Sequence, residues 1–498
     1  MISIEQMAIF CKKKGFVYPT AEMYGGLSGF FDYGPLGVEL KNNLKQSWWK
    51  AHVQDRDDIV GIDGSVITNP KVWQASGHVE NFIDVMVECE KCKTRLRADH
   101  LIEDVLDISI EGAPLYEIQN QLDKIQCPTC KGKLGKAESF HSMFETNVGP
   151  IKSEKSKAYL RPETAQLIFT NFKAVHENSR LKLPFGIAQM GKAFRNEISP
   201  RNFLFRCREF EQMEIEYFIN PSDKHCPFID EVKDNSIQLL TSDMQKKKEK
   251  EKLMNIGEAI KKRIFKSPWH AYWLATEVMW FVNLGCNINN FRLRQHRPDE
   301  KAHYSEDCWD LEYNFPFGYK ELEGIADRGT YDLDAHMKHS KKDLSLFDEE
   351  SKKKIIPSVI AEPSLGLDRA FLVFMFDAYN NDEKRGNIVL KLHPKLAPVK
   401  VAVLPLVNKV SEKAQTIYKQ IKKEFVAFYD KSGSVGRRYA RADEQGIPYC
   451  VTVDFEEGYT IRDRDSTKQI RVSEEDLVST LNKLLRQEIK FEKAGKLL

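Results

Sequence analysis

The segment LPFGIAQMGKAFRNEISPRNFLFRCREFEQMEIEYF, residues 183–218, carries the clearest structural pattern of the chain. Residues 183–194 have the composition of a strand, residues 195–208 are polar, and residues 210–218 alternate between polar and apolar side chains. Two strand-like runs around a polar connection predict an antiparallel hairpin. This hairpin also concentrates the residues that could do chemistry.

One face of the second strand combines charge with an aromatic ring. Successive strand residues point to opposite faces. Residues of one parity therefore share a face, namely Arg206, Arg208, Phe210, Gln212 and Glu214, with Met213, Ile215 and Tyr217 opposite. Guanidinium groups match phosphate oxygens and an aromatic ring stacks on a base, which suits a nucleoside triphosphate. A surface hairpin with ordinary salt bridges fits the spacing equally well, so spacing leaves both open.

A second candidate is EPSLGLDR, residues 362–369, which precedes an apolar, helix-like run. Gly366 allows close backbone approach, and Arg369 would place a cation near the start of that helix, where phosphate binds well. An arginine in this position is more often simply solvated. This pattern alone therefore does not establish a phosphate site.

Three short motifs together resemble the class II aminoacyl-tRNA synthetases. Phe194-Arg195-Asn196-Glu197, followed by Arg206, Phe210 and Glu214, resembles their motif 2, and Gly366-Leu367-Asp368-Arg369 resembles motif 3. Pro70, which follows a helix-like run and a strand candidate at residues 59–68, is placed like the motif 1 proline. Three motifs in the right order are far more specific than any one of them.

Further segments narrow the resemblance to the homodimeric glycyl-tRNA synthetases. They are FDYGPLG at 31–37, RPETAQ at 161–166, RNEISPR at 195–201, ELEGIADR at 321–328 and EPS at 362–364. The resemblance implies an α+β fold. Its catalytic domain, with the class II antiparallel sheet, would span 1–395, with insertions at about 86–145 (Cys-rich) and about 221–290 (Lys-rich). An α/β anticodon-binding domain would span 396–498.

The resemblance also implies the site residues. Arg195 would contact the α-phosphate of ATP, Arg206 and Arg369 the outer phosphates, and Glu197 the adenine amino group, while Phe210 stacks on adenine. Arg195 and Arg369 are the expected catalytic residues. The full ATP set is Arg195, Asn196, Glu197, Phe205, Arg206, Cys207, Arg208, Glu209, Phe210, Glu321, Leu322, Gly366, Leu367, Asp368 and Arg369. The glycine set is Arg97, Glu163, Phe210, Glu211, Gln212, Met213, Glu214, Glu362, Pro363, Ser364, Leu365 and Gly366.

The reaction implied by the resemblance activates glycine with ATP and Mg²⁺, with Glu321 on the metal side, and transfers it to the 3′ end of tRNA(Gly). Carboxylates suit an ammonium group, an arginine suits a carboxylate, and a closed pocket excludes larger side chains. One alternative is a synthetase-like nucleic-acid-binding accessory protein that does not aminoacylate. Another is a class II synthetase for a different small amino acid. Both are disfavoured because the arginines, Phe210 and the acidic residues are all present.

Four of the ten cysteines form two Cys-x-x-Cys pairs, at Cys89 and Cys92 and at Cys127 and Cys130. Each pair can supply two thiolates from one turn, which predicts a tetrahedral Zn²⁺ site. Reduced structural thiols and a redox disulfide are the alternatives. Four thiolates leave no open coordination position, so the expected role is structural. His296 and His303 are better explained as surface or structural histidines than as a metal pair.

Overall charge and hydropathy exclude several classes of protein. The net charge is +2, so no field over the whole chain draws it to nucleic acid or anionic lipid. No stretch approaches the roughly 18 apolar residues of a membrane helix, and the N-terminus lacks a signal sequence, so we expect a cytoplasmic protein without membrane association. The Lys-rich run at 246–252 is typical of a solvated helical face more often than of an RNA-binding strip.

The last hundred residues predict a separate βαβ unit, with strands at 401–404 and 450–453 and a helix at 411–429. Two basic segments there, at 436–443 and 462–465, resemble parts of the anticodon-binding domain of class II synthetases. They could meet phosphates and unstacked bases, or pair their arginines with their own aspartates.

Overall fold

The computed structural model describes residues 2–106, 108, 110, 113–300, 305–349 and 351–498. The helices are α1 (Ile4–Lys14), α2 (Pro35–Trp49), α3 (Pro70–Ala75), α4 (His78–Asn81), α5 (Ala98–Leu106), α6 (Leu115–Leu122), α7 (Ala165–Ser179), α8 (Ser242–Lys246), α9 (Ile256–Lys261), α10 (Pro268–Asn283), α11 (Tyr331–Ser340), α12 (Leu367–Ala378), α13 (Ser411–Ile421), α14 (Val435–Glu444) and α15 (Leu477–Leu485). Within these ranges no helix combines the length and apolarity needed to cross a bilayer.

The strands of the first half are β1 (Val17–Pro19), β2 (Phe31–Tyr33), β3 (Ile59–Ile62), β4 (Ile67–Thr68), β5 (Ile83–Cys89), β6 (Arg95–Arg97), β7 (Leu134–His141), β8 (Glu145–Asn147), β9 (Lys157–Leu160), β10 (Phe185–Phe194), β11 (Glu209–Ile219), β12 (Ser236–Leu240) and β13 (Lys252–Asn255). Those of the second half are β14 (Phe291–Gln295), β15 (Asp307–Phe315), β16 (Gly318–Asp327), β17 (Leu346–Asp348), β18 (Lys353–Ile355), β19 (Ser358–Gly366), β20 (Tyr379–Asp382), β21 (Asn387–Leu390), β22 (Val401–Pro405), β23 (Ala427–Tyr429), β24 (Tyr449–Val453), β25 (Tyr459–Asp463), β26 (Gln469–Val472) and β27 (Lys496–Leu497).

A nine-stranded sheet in the order β13-β12-β14-β15-β16-β19-β11-β10-β3 forms the centre of the molecule. Its pairs are antiparallel except β10 with β3 and β12 with β14. The predicted hairpin is confirmed: β10 pairs with β11 from Phe185 opposite Phe218 to Phe194 opposite Glu209. Together with the helices around it, this sheet makes the fold α+β, as predicted.

The two faces of the central sheet differ in polarity. Helices α2, α10 and α12 pack against one face, where Met213, Ile215 and Tyr217 of β11 are completely buried among apolar side chains, as the alternation predicts. Phe210, Gln212 and Glu214 of the same strand therefore point to the other face. That face carries the polar residues of the candidate site.

The prediction of one continuous strand at 59–68 is wrong, because this segment forms two strands, β3 and β4. Strand β3 pairs with β10 in the central sheet, whereas β4 pairs with β9 in a three-stranded sheet. Between them the backbone of Gly64 bonds to side chains, since its N–H donates to Gln189 (3.0 Å) and its carbonyl accepts from Arg161 (2.6 Å). These bonds replace the ladder and let the chain change sheets.

The Lys-rich segment, predicted as an insertion at 221–290, is not separate from the expected catalytic domain but forms part of its central sheet and core. Strands β12 and β13 extend the central sheet, and α10 lies in its core with Trp269 and Trp273 fully buried. The expected helical face at 246–252 is also wrong, because α8 ends at Lys246 and Lys248 has a left-handed φ of 56°. The lysines are nevertheless solvated.

The C-terminal region forms its own layer, with sheet order β23-β22-β24-β25-β26-β27 and a distinct apolar core. Strand β22 is parallel to β23 and β24, which confirms the βαβ pattern. The helix expected to reach Tyr429 ends at Ile421, because residues 427–429 pair with β22 instead. The arginines in the basic segments of the C-terminal region pair with aspartates of the same region. Arg462 lies 2.8 Å from Asp443, and Arg441 bonds to Asp430.

The Cys-rich segment also has a small core of its own. Its sheet has the order β6-β5-β7, and α5 and α6 cover it with buried residues such as Ile102 and Leu122.

Candidate active site

A cleft of about 690 Å³ lies on the polar face of the central sheet, above β11, β16 and β19 and beside the first residues of α12. Thirteen predicted site residues line it: Arg195, Glu197, Phe205, Arg206, Cys207, Phe210, Gln212, Glu321, Leu322, Ser364, Gly366, Asp368 and Arg369. Leu204 and Gly324 also line it and were not predicted. The topology thus brings the motif 2 and motif 3 segments to one cavity.

Arg195 is held in place before any ligand binds. Its Nε donates to the carbonyl of Pro162 at 3.1 Å, and its guanidinium lies 5.6 Å from the ring centre of Phe210 and 5.7 Å from that of Phe82. A cation fixed against aromatic faces and aimed into a cleft needs little reorganisation to stabilise an anion.

Two further arginines in the cleft pair with carboxylates. Arg206 lies 2.7 Å from Glu197, and Arg369 lies 3.3 Å from Glu321. Arg369 also stacks over Phe205 at 4.6 Å and donates Nε to the carbonyl of that residue at 3.1 Å. Both arginines are partly exposed, so a polyphosphate could replace the carboxylates as their partner.

Several predicted residues lie next to the cleft without lining it. Strand parity directs Glu209, Glu211, Met213 and Leu365 away: Glu209 pairs with Lys192 (2.7 Å), Glu211 lies 3.0 Å from Lys41, and the other two are in the core. Leu367 is likewise in the core, and Pro363 is buried in β19. Arg208 donates to the carbonyls of Glu197 and Ser28, and the N–H of Asn196 donates to the carbonyl of Ser142. These residues build the site and do not face it.

Asp368 ties the start of α12 to the second strand of the hairpin. Its carboxylate accepts the backbone N–H of Glu211 at 2.7 Å and the hydroxyl of Tyr33. Burial, with the charge of Asp368 beside it, holds the pKa of Tyr33 well above its usual range. The hydroxyl therefore stays a donor, and Arg369 in the next position is fixed relative to Phe210.

A carboxylate niche lies directly behind Gln212 and Ser364. Glu214 is 1% exposed; its Oε2 accepts the N–H of Thr164 at 3.0 Å and the hydroxyl of that residue, while Oε1 accepts from Ser364 (2.5 Å) and Gln212 (2.8 Å). Burial and the neighbouring charge of Glu163 raise its pKa. Because burial and a neighbouring carboxylate disfavour the ionised form of Glu214, a cation that enters the niche would stabilise that form.

The niche has a second carboxylate, Glu163, which His78 positions. Nε2 of His78 lies 3.1 Å from Glu163, and Nδ1 lies 2.8 Å from the hydroxyl of Ser76. Burial opposes ionisation of Glu163, but the charge and hydrogen bond of His78 outweigh it and lower the pKa of Glu163. His78 was not predicted, since nothing near it in the sequence marks it.

Glu362 does not line the cleft, and its carboxylate is bonded to Arg328. Both oxygens of Glu362 accept from Arg328 at 2.8 Å, and Arg328 also pairs with Asp332 at 2.6 Å. Burial raises the pKa of Glu362 to about 8. Arg328 is the last residue of ELEGIADR, a segment that carries part of the resemblance, although it is not among the predicted site residues.

Arg97 lies in a neighbouring cavity of about 790 Å³, which shares Glu197 and Arg206 with the cleft. It pairs with Asp99 (2.6 Å) and Asp84 (3.2 Å). The structure therefore places Arg97 beside the cleft, and its assignment to the amino-acid pocket stays a prediction.

The four paired cysteines converge, as their spacing predicts. Their sulfur atoms lie within 4.8 Å of one another, with Cys89 to Cys130 at 3.5 Å and Cys92 to Cys127 at 3.7 Å. A tetrahedral metal with bonds of about 2.3 Å separates its ligand sulfurs by about 3.8 Å. The residues present fit a tetrahedral metal ion.

Residues 144–361 match the tRNA synthetase class II core domain (G, H, P, S and T), and residues 400–484 match the anticodon binding domain. A protein of Caldanaerobacter subterraneus subsp. tengcongensis named glycine–tRNA ligase is 44% identical over 504 residues, which cover 98% of this chain and 99% of that protein.

Two other relatives carry the same name. One, from Geobacillus thermodenitrificans, is 44% identical over 97% of both chains, and one from Thermobifida fusca is 43% identical over 95% of this chain and 96% of its own. The two domain matches, in this order, and the identity along nearly the whole sequence show that the chain belongs to the glycine–tRNA ligase family of class II synthetases.

Proposed function

We propose that the chain activates glycine with ATP to glycyl-adenylate and then transfers glycine to the 3′ end of tRNA(Gly). The observation that carries this proposal is the junction of the arginine-lined cleft with a carboxylate niche, joined through Gln212 and Ser364. The arginines and Phe210 of the cleft suit the phosphates and the base of ATP, and the carboxylates of the niche suit an α-ammonium group.

In the first step the glycine carboxylate attacks the α-phosphorus of ATP, and pyrophosphate leaves. Neither this step nor the transfer to a ribose hydroxyl, which releases AMP, requires a protein nucleophile. Arg195 stabilises the developing charge, Arg206 and Arg369 orient the outer phosphates, and Phe210 stacks on the base. The Mg²⁺ that accompanies ATP prefers one or two carboxylates plus phosphate oxygens. Glu321 lines the cleft together with Glu197 and Asp368, and it would hold the metal once a phosphate replaces it as the partner of Arg369.

Specificity would come from exclusion. Thr164, Gln212 and Ser364 all bond to Glu214 and enclose it. We infer that this enclosure excludes a side chain on a substrate whose ammonium group is held there. The proposal is tested by ATP–pyrophosphate exchange with glycine, alanine or serine, followed by charging of tRNA(Gly). Exchange with glycine alone, together with charging, supports it. Exchange with another amino acid, or no exchange at all, would overturn it in favour of a different synthetase or an accessory protein.

We also propose a cytoplasmic homodimer, supported by the resemblance, in which Pro70 is placed like the motif 1 proline of the dimer interface. In the structure Pro70 is the first residue of α3. Asn69 caps this helix by accepting the N–H of Lys71 at 3.0 Å.

Replacing His78 by alanine should raise the KM for glycine about tenfold while leaving the KM for ATP unchanged. The hydrogen bond to Glu163 is charge-assisted, and losing it costs about 1.5 kcal/mol or more. The measurement is pyrophosphate exchange at varied glycine and ATP. His78→Gln, which can still donate to Glu163, should recover part of the loss, and exposed His339→Ala should have no effect. An unchanged KM for glycine in His78→Ala would refute the positioning role.

For the four-cysteine cluster we propose structural Zn²⁺. Two similar turns present the pairs, because Lys93 and Lys131 both adopt left-handed φ values, 59° and 58°, and their N–H groups donate to the carbonyls of Cys89 and Cys127. Zinc bound there would organise the small core of β5, β6, β7, α5 and α6.

Cys130→Ser should therefore lower the zinc content by one equivalent per chain and make residues 86–145 sensitive to limited proteolysis. Metal analysis and mass spectrometry of the fragments measure both effects. Cys450→Ser, a buried cysteine of β24, serves as the control and should retain full zinc and resistance. Equal zinc in Cys130→Ser and in the unmodified protein would exclude this site.

A further inference from the structure

We propose that His296, Cys308 and Asp310 form a second divalent-metal site, for a transition metal such as Zn²⁺ or Co²⁺, at the edge of the cleft. One potential ligand atom from each residue lies within 4.8 Å of the other two. Nε2 of His296 is 2.8 Å from Oδ1 of Asp310. This site is separate from the four-cysteine cluster and does not depend on the proposed aminoacylation.

Strand geometry explains why the three residues meet. Cys308 and Asp310 are two apart on β15 and so share a face. His296 directly follows β14, and its N–H donates to the carbonyl of Cys308 at 2.9 Å, which continues the ladder. His303, considered as a partner of His296 from the sequence, lies outside the described residues.

The donor set suits a borderline transition metal. Imidazole nitrogen, thiolate sulfur and carboxylate oxygen are the three ligand types that Zn²⁺ accepts, and three protein ligands leave one coordination position open. Asp310 is buried, and Nδ1 of His296 is a buried atom that has no hydrogen-bond partner among the described residues. A metal could therefore bind Nδ1 without breaking a hydrogen bond among these residues, whereas Nε2 is bonded to Asp310, itself a proposed ligand.

The charges around the cluster permit a divalent ion. Among the described residues, Arg294 has its guanidinium 3.5 Å from Oδ2 of Asp310, but this guanidinium is already bonded to both oxygens of Glu300 at 2.7 and 2.8 Å. A thiolate and a carboxylate together balance the charge of M²⁺. Formation of the metal–sulfur bond releases the thiol proton of Cys308 to solvent, so each bound ion releases at least one proton.

The site borders the cleft through Gly324. Asp310 is paired with Gly324 in the β15–β16 register, and Gly324 lines the cleft with open space where a side chain would stand. The next strand places Ser364 opposite Gly324. The proposed metal therefore lies two strands from Ser364, on the same face of the sheet.

The test is a Co²⁺ titration of the metal-free full-length chain, which follows visible absorption and proton release. The unmodified protein should bind one equivalent more than Cys308→Ser, His296→Gln or Asp310→Asn, and that equivalent should show sulfur-to-cobalt charge transfer that Cys308→Ser lacks. Cys450→Ser should bind as many equivalents as the unmodified protein. Thermal unfolding checks that each variant is folded. If Cys308→Ser does not fold, the comparison rests on His296→Gln, because His296 is partly exposed and its substitution is expected to leave the fold intact. Equal stoichiometry in the unmodified protein and the folded variants overturns the proposal.

Discussion

Replacing Arg195 by alanine should reduce glycine-dependent ATP–pyrophosphate exchange by about 100- to 1,000-fold, the usual effect of removing one preorganised donor from a developing charge. The guanidinium is fixed by the carbonyl of Pro162 and by the rings of Phe82 and Phe210, so it meets the reacting phosphate without reorganising. The loss should appear mainly in kcat, because the charge on the α-phosphate grows in the transition state. Arg195→Lys should recover little, since an ammonium lacks the planar fork.

Arg437→Ala is the matched control, because this arginine is exposed in the C-terminal region and pyrophosphate exchange does not involve tRNA. It should leave exchange unchanged. Near-normal exchange in folded Arg195→Ala would refute the role assigned to Arg195, whereas equal losses in both variants would point to a general effect on folding.

The alternation of residues 210–218 was enough to predict which side chains of β11 face the site. It separates Phe210, Gln212 and Glu214 from Met213, Ile215 and Tyr217, and the structure confirms the division. The resemblance, by contrast, implied continuous runs of site residues. Strand parity divides those runs, so Glu209, Glu211 and Leu365 support the cleft from behind without lining it.

The surroundings of the niche could not be predicted from local pattern. Glu214 bonds to Thr164 and Ser364, 50 and 150 positions away, and His78 reaches Glu163 from a four-residue helix. Such contacts depend on how strands and helices are arranged in space, which periodicity does not encode. The same reason explains why the strand at 59–68 divides between two sheets.

Glu214→Gln should lower kcat/KM for glycine by about 100-fold or more while ATP binding is retained. Glu214 accepts four hydrogen bonds, from the N–H and hydroxyl of Thr164, from Ser364 and from Gln212. An amide has the same shape but carries no charge, and its NH₂ group would face donors. Removing a carboxylate from a buried cation site and leaving donors unpaired costs about 3 kcal/mol or more.

The pH dependence separates this charge effect from a packing effect. Burial and the charge of Glu163 raise the pKa of Glu214 above its ordinary value of 4.5, so its ionised fraction still increases as the pH rises past that value. Since the ionised form holds the ammonium group, the KM for glycine should fall with rising pH in the unmodified protein. Glu214→Gln should lose that contribution, whereas Glu258→Gln, an exposed residue paired with Lys262, should keep it. A Glu214→Gln variant with an unchanged pH profile and KM would show that the ammonium group binds elsewhere.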